Sequence, residues 1–416
     1  MKIVIGFLLG QGLVQALSLL IGLVLVHVLP VDQYALYTIA GALLVIVSLG
    51  SNFGLSQGIV SLGSARRDDS QHIGALLDAA RWWSRRLMVL AMACAVGLAF
   101  LMMRDQPWPL WSKTACVILV LLVGWAQVGS SLGRSVLNIH HDARSIFRVG
   151  IAEAATRLVL LPLCLVWPVA AAALAANLAG ALAASRLTLR RCAELSDERA
   201  MCDASHRAQL SAFVAPIAPV VIYTLAQGQI AILLLSAFAD TRAIAETGAL
   251  SRLGQAFSVF MVLNTFLVHP IFARVRSRRD FLYKLGVLVS ALALLCLVTM
   301  ASAVVLPEWW LLIVGHKYST LTHELPIAIA TSLATLVGAS IYVVVLARGL
   351  TQWQSIAIVP CVVGQLAFIA ANGVRSTSDA LMLSLIPAVA YAIVQAILLL
   401  VVVRRWSIGE ASSALG

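Results

Sequence analysis

Two arginines and one glutamate interrupt otherwise uncharged, largely apolar stretches: Arg157, with Glu153 four positions before it, and Arg252, which has no acid within a helical turn along the sequence. Charge is costly in hydrocarbon, so an ionisable group kept there marks a substrate or ion path. A guanidinium is a planar fork of donors suited to phosphate. A lone carboxylate can take a proton or a cation. Glu four residues before Arg is also the favourable order for an ion pair within one helix. Two readings of Glu153 and Arg157 therefore stand: a neutralised pair, or a phosphate-binding Arg157 beside a coupling carboxylate at Glu153.

Uncharged polar residues fall in the same stretches. Gln11, Gln15 and Ser18 share one helical face, and Gln227 and Gln229 follow Tyr223 in a later apolar run. Ser251, Gln255, Ser258 and Asn264 surround Arg252, while Gln365 and Gln395 lie near the C-terminus. One such residue is ordinarily an interhelical hydrogen bond of about 0.6–2 kcal/mol. A stripe of them on one face is better explained by a watered cavity, and Arg252, Arg157, Gln11, Gln15, Gln227, Gln255 and Gln365 form the expected substrate-binding set.

His140-His141-Asp142 reads as a solvated turn, because adjacent residues diverge on a helix and cannot converge on a metal. The chain has no Walker loop or HExxH sequence, and no ATPase or hydrolase chemistry and no cofactor are expected.

The elements that must position these groups are spans. Of the 416 residues, 61% are hydrophobic and 11% charged, with a mean hydropathy of +0.96. Soluble domains are roughly half apolar. Continuous apolar runs predict an all-α membrane protein rather than a barrel, whose strands would alternate. About twelve transmembrane helices are expected, at 3–29, 35–62, 87–103, 110–133, 149–167 and 169–187, then 210–238, 248–272, 285–306, 327–347, 355–373 and 380–403. They form two six-helix bundles, 1–187 and 209–416, joined by a polar linker at 188–208. With both termini cytoplasmic, Lys and Arg gather in one alternate set of loops, and the other holds only Arg104, Lys113, Arg242, Lys317 and Arg375. The net charge of +11 thus marks topology, and no nucleic-acid partner is expected.

Three stretches resemble the polysaccharide-transporter (Wzx-type flippase) branch of the multidrug/oligosaccharidyl-lipid/polysaccharide exporter superfamily. The first is the turn from Leu23 to Tyr37 through Pro30, Asp32 and Tyr34, followed by Gly54 to Ile59 in the second span. The second is Thr247-Gly-Ala-Leu-Ser-Arg-Leu253, with Pro270 beyond it. The third is Leu311 to Tyr318, with Leu325 and Ala328 after it. The resemblance implies a V-shaped exporter fold opening alternately to each side. It also implies a polyprenyl-pyrophosphate-linked oligosaccharide as cargo, flipped from the cytoplasmic to the periplasmic leaflet of the bacterial inner membrane, and polysaccharide polymerase machinery as a partner. Arg252 falls on a basic position that lines the cavity in related lipid-linked-sugar flippases. Gln227 and Gln229 stand where relatives often place a carboxylate. A cation-coupled multidrug or small-molecule antiporter of the same fold is the alternative.

Overall fold

The computed structural model describes residues 2–64, 66–197, 200–264, 268–273, 275, 277–347 and 354–413. Lipid offers backbone N–H and C=O groups no partner, so a spanning chain must satisfy them within its own helices. The described residues form helices α1 (Lys2–Val28), α2 (Val31–Asn52), α3 (Leu55–Ser64), α4 (Ser70–Met103), α5 (Leu110–Ile139), α6 (Ala143–Val166), α7 (Ala170–Leu195), α8 (Ala204–Val214) and α9 (Ala218–Phe238). They continue as α10 (Thr241–Ala256), α11 (Ser258–Leu263), α12 (His269–Ala273), α13 (Arg278–Val305), α14 (Pro307–Val314), α15 (Glu324–Ala347), α16 (Ile358–Asn372) and α17 (Thr377–Ser413).

Among the described residues, 11 helical stretches are long and apolar enough to cross a membrane, with α2 and α3 counted as one. Phe53 and Gly54, at φ of 42° and 84°, bend the chain between those two helices. The protein is a multi-pass membrane protein. The expected eighth span, 248–272, is not one continuous helix. It is divided among α10, α11 and α12, and residues 265–267 lie outside the described set. At Phe257 the backbone N–H bonds back only three residues to Gly254 O (3.1 Å), which interrupts the four-residue ladder.

The chain packs as two compact units, Leu20–Ala245 and a second made of Met1–Leu19 with Glu246–Gly416. The polar linker lies wholly inside the first. There the end of α7 and the segment after it fold back on α4. Asp197 N–H donates to Ser70 O (3.1 Å), and Cys202 N–H donates to Asp78 Oδ2 (3.2 Å). The Trp82 ring stacks under Arg86 and, from α8, Arg207, at 3.6 and 4.7 Å. α9 joins this unit through α2 and α4 and through Gln106, which donates to Ser236 O (3.3 Å).

Small residues set the close helix approaches in this unit, as expected where lipid gives no hydrophobic drive between helices. A Cβ built on Gly124 of α5 would stand 2.4 Å from Val47 Cγ1 on α2, and one on Gly133 would stand 2.5 Å from Thr188 Cγ2 on α7. Gly124→Val should therefore destabilise the protein by about 2–3 kcal/mol through overpacking. Gly41→Val meets no atom within 4 Å and serves as the control. Thermal unfolding in detergent measures both, and equal midpoints would refute the contact.

In the other unit α15 packs chiefly on α17. Phe272, Phe281, Val344, Val345, Leu398, Leu399 and Val402 form its core. In the same unit the buried Asn264 donates to Ser340 Oγ of α15 at 2.7 Å.

Candidate functional site

α5 and α6 run in opposite directions in the first unit and bring Arg134 beside Glu153. Arg134 lies five residues before the end of α5, and Glu153 ten residues into α6, roughly 15 Å along the helix. Arg134 Nη2 donates to Glu153 Oε2 at 2.7 Å, while Arg157 Nη2 donates to Glu153 Oε1. The side chains of Glu153 and Arg157 are 18% and 21% exposed. Gly180 of α7 makes room for them, since a Cβ there would come within 2.9 Å of Arg157 Cγ and of Glu153 O.

Two guanidiniums against one carboxylate leave the cluster with one net positive charge. Both Glu153 oxygens are occupied, and the buried Nε atoms of Arg134 and Arg157 have no partner. Of the two readings of this pair, the structure takes the ion pair. It also adds Arg134, which the sequence placed in a loop because the span was ended at residue 133. α5 runs on to Ile139, and an Arg on the last turns of a span opposite a deep Glu is the signal that would have found it.

Residues Gln11, Gln15, Arg252 and Gln255 all belong to the other unit. On α10, Leu250 and Leu253 face the core, as does Phe257 just beyond its end. Ser251 and Gln255 are exposed and Arg252 is half-buried. The turn after α10 brings Ser258 Oγ to 3.3 Å from Gln15 Oε1 of α1 and 2.6 Å from Gln255 O. The polar stripes of the first and eighth expected spans thus meet at Gln15 and Ser258. Half-buried Gln11 lies one turn before Gln15, and its amide, like that of Gln255, makes no hydrogen bond among the described residues.

The remaining expected residues separate from this face. Gln227, half-buried on α9, belongs to the first unit. Gln365 is 4% exposed, and its Nε2 donates to Leu383 O at 3.2 Å. That amide is engaged in packing α16 on α17. In the His140-His141-Asp142 turn, Asp142 caps α6 by accepting from Ser145 N–H at 3.1 Å, and accepts from Arg191 Nε at 2.8 Å. Burial pushes the Asp142 carboxyl up, but the hydrogen bonds from Ser145 and Arg191 outweigh it and hold the group below the usual aspartate range.

The sequence matches no protein-family model and no curated protein. Solved structures do match. An inward-facing multidrug-resistance transporter of the MATE family, in the MOP superfamily, superposes with a TM-score of 0.73 at 13% identity, over 94% of this chain and 95% of its own. The lipid II flippase MurJ, in an inward closed conformation, gives 0.74 at 13% identity, over 96% and 87%. The chain has the exporter fold. A MOP-superfamily transporter from Pyrococcus furiosus, described as having a binding pocket of reversed polarity, matches over 96% of this chain and 94% of its own, with a TM-score of 0.62 and 13% identity. The exporter fold is carried here by a sequence in which Glu153 of α6 is engaged by both Arg134 and Arg157.

Proposed function

We propose that the protein is a flippase that moves a polyprenyl-pyrophosphate-linked oligosaccharide from the cytoplasmic to the periplasmic leaflet of a bacterial inner membrane by alternating access, supplying surface-polysaccharide polymerisation. The observation that carries this reading is the engagement of Glu153 by two arginines. The deep acid that a cation-coupled drug exporter would use is closed off, and the remaining balance is positive. Arg252 then holds the diphosphate, while Gln11, Gln15 and Gln255 on the same unit hydrogen-bond sugars loosely. Arg157 is assigned to the ion cluster rather than to phosphate. No covalent step is needed, so the activity is transport and not catalysis.

The flippase match supports a lipid-linked cargo, and the membrane potential favours the direction. Moving negative charge outward across an inside-negative membrane releases about 2.3 kcal/mol per charge per 100 mV. A diphosphate needs little ion coupling for that reason. The test is a purified protein in proteoliposomes containing a fluorescent polyprenyl-pyrophosphate oligosaccharide, read by accessibility of the sugar to an impermeant glycosidase. Protein-dependent transfer between leaflets is expected. Failure to move the lipid-linked sugar, together with proton-driven movement of a cationic dye, would instead assign the multidrug reading that the MATE match raises.

A further inference from the structure

A pocket of about 190 Å³ opens among α4, α5 and α7, lined by none of the residues placed above in the ion cluster or the polar face. Its two charged lining residues are Arg81 and Arg85, one helical turn apart on α4, and no acid lines it. Neither arginine has an ion-pair partner among the described residues. The acid nearest along α4, Asp78, accepts instead from Cys202 N–H. Like charges at this spacing repel, so an anion seated between them stabilises both.

The pocket also has a polar end and an apolar end. Arg81 and Arg85 precede Met88, which lies seven residues, or about 10 Å, further along α4. α5 runs the opposite way, so Leu132 is level with the arginines and Trp125 is level with Met88. The arginine end is the end of α4 next to Arg66 and Arg67, which the charge rule places at the cytoplasmic surface. Trp125 is 58% exposed and Leu189 38%, so the pocket opens sideways from the unit. Gly129 supplies no side chain to close it, and a Cβ there would sit 3.2 Å from Ser185 Oγ. Phosphate at the headgroup level with hydrocarbon immediately deeper is the build of a glycerophospholipid, and the volume suits the headgroup while the acyl chains remain in the bilayer.

We propose that this pocket is a binding site for an anionic glycerophospholipid of the cytoplasmic leaflet, its phosphodiester between Arg81 and Arg85 and its chains along Met88 and Trp125. Native mass spectrometry of the whole protein tests it, with added dioleoylphosphatidylglycerol, dioleoylphosphatidylcholine or sodium phosphate. Phosphatidylglycerol should be retained over phosphatidylcholine. R81Q/R85Q should weaken its binding tenfold or more, R81K/R85K by less than threefold, and R104Q not at all. The lysine variant separates loss of charge from misfolding. Equal retention by the wild type and R81Q/R85Q overturns the proposal, as does retention of inorganic phosphate without lipid, which would make the site one for a free anion.

Discussion

Replacing Glu153 by Gln should be the most destabilising single substitution among the membrane-embedded polar residues, at about 3 kcal/mol. The carboxylate holds Arg134 with one oxygen and Arg157 with the other. Its removal leaves two guanidiniums facing each other in a site where Arg157 is only 21% exposed. Breaking a buried charge pair from one side costs about 3–5 kcal/mol, because the remaining charge is left without compensation. The lower end applies here, since Arg134 is 37% exposed and can turn towards water. Arg157→Gln should cost less, because the neutral pair of Arg134 and Glu153 survives it. The double variant E153Q/R157Q should then be more stable than E153Q alone, a sign reversal that only mutual repulsion explains. Chemical or thermal unfolding in detergent gives all three values. An E153Q protein as stable as the wild type would show that the acid is not the keystone of the cluster, and would return it to candidacy as a coupling group.

The cluster also shows where sequence reasoning reaches and where it stops. Spans were legible because hydrophobic length is a one-dimensional property of the chain. The pairing of Glu153 with Arg157 was one of two readings, because a four-residue spacing permits a contact without requiring it. Arg134 was lost to a six-residue error at a helix end, where polar residues continue a helix beyond the lipid. The divided eighth segment was illegible for a different reason. Its composition is as apolar as a span, and what breaks it is a local change in hydrogen bonding at Phe257. Gln365 and Gln15 could not be distinguished by type, yet one is engaged by a backbone carbonyl in the packing of α16 on α17, and the other lies half-buried beside Ser258. Partners 243 residues apart along the chain are invisible to periodicity.

Arg252→Ala should lower the rate of oligosaccharide-lipid translocation by about 100-fold while leaving the fold intact. The expectation separates two faces of α10. Leu250 and Leu253 are 1% and 4% exposed and hold the helix in its unit, whereas half-buried Arg252 shares the other side with exposed Ser251 and Gln255. Truncating one partner of a charged hydrogen-bonded pair costs about 2–5 kcal/mol, and a factor of 100 is about 2.7 kcal/mol. Arg252→Lys keeps the charge but loses the two-pronged contact with phosphate oxygens, so it should fall between, at about tenfold. Gln255→Ala should cost only a few-fold, because a cargo that must be released is held by weak hydrogen bonds to its sugars. Initial rates in proteoliposomes, normalised to reconstituted protein, rank the three variants. A thermal midpoint close to the wild type confirms that Arg252→Ala acts on the cargo. If Arg252→Ala and Arg252→Lys both translocate at the wild-type rate, the diphosphate is held elsewhere and the site proposed on α10 is wrong. If both fail equally with an unchanged midpoint, the geometry of the guanidinium matters more than its charge, which points to a bidentate phosphate contact.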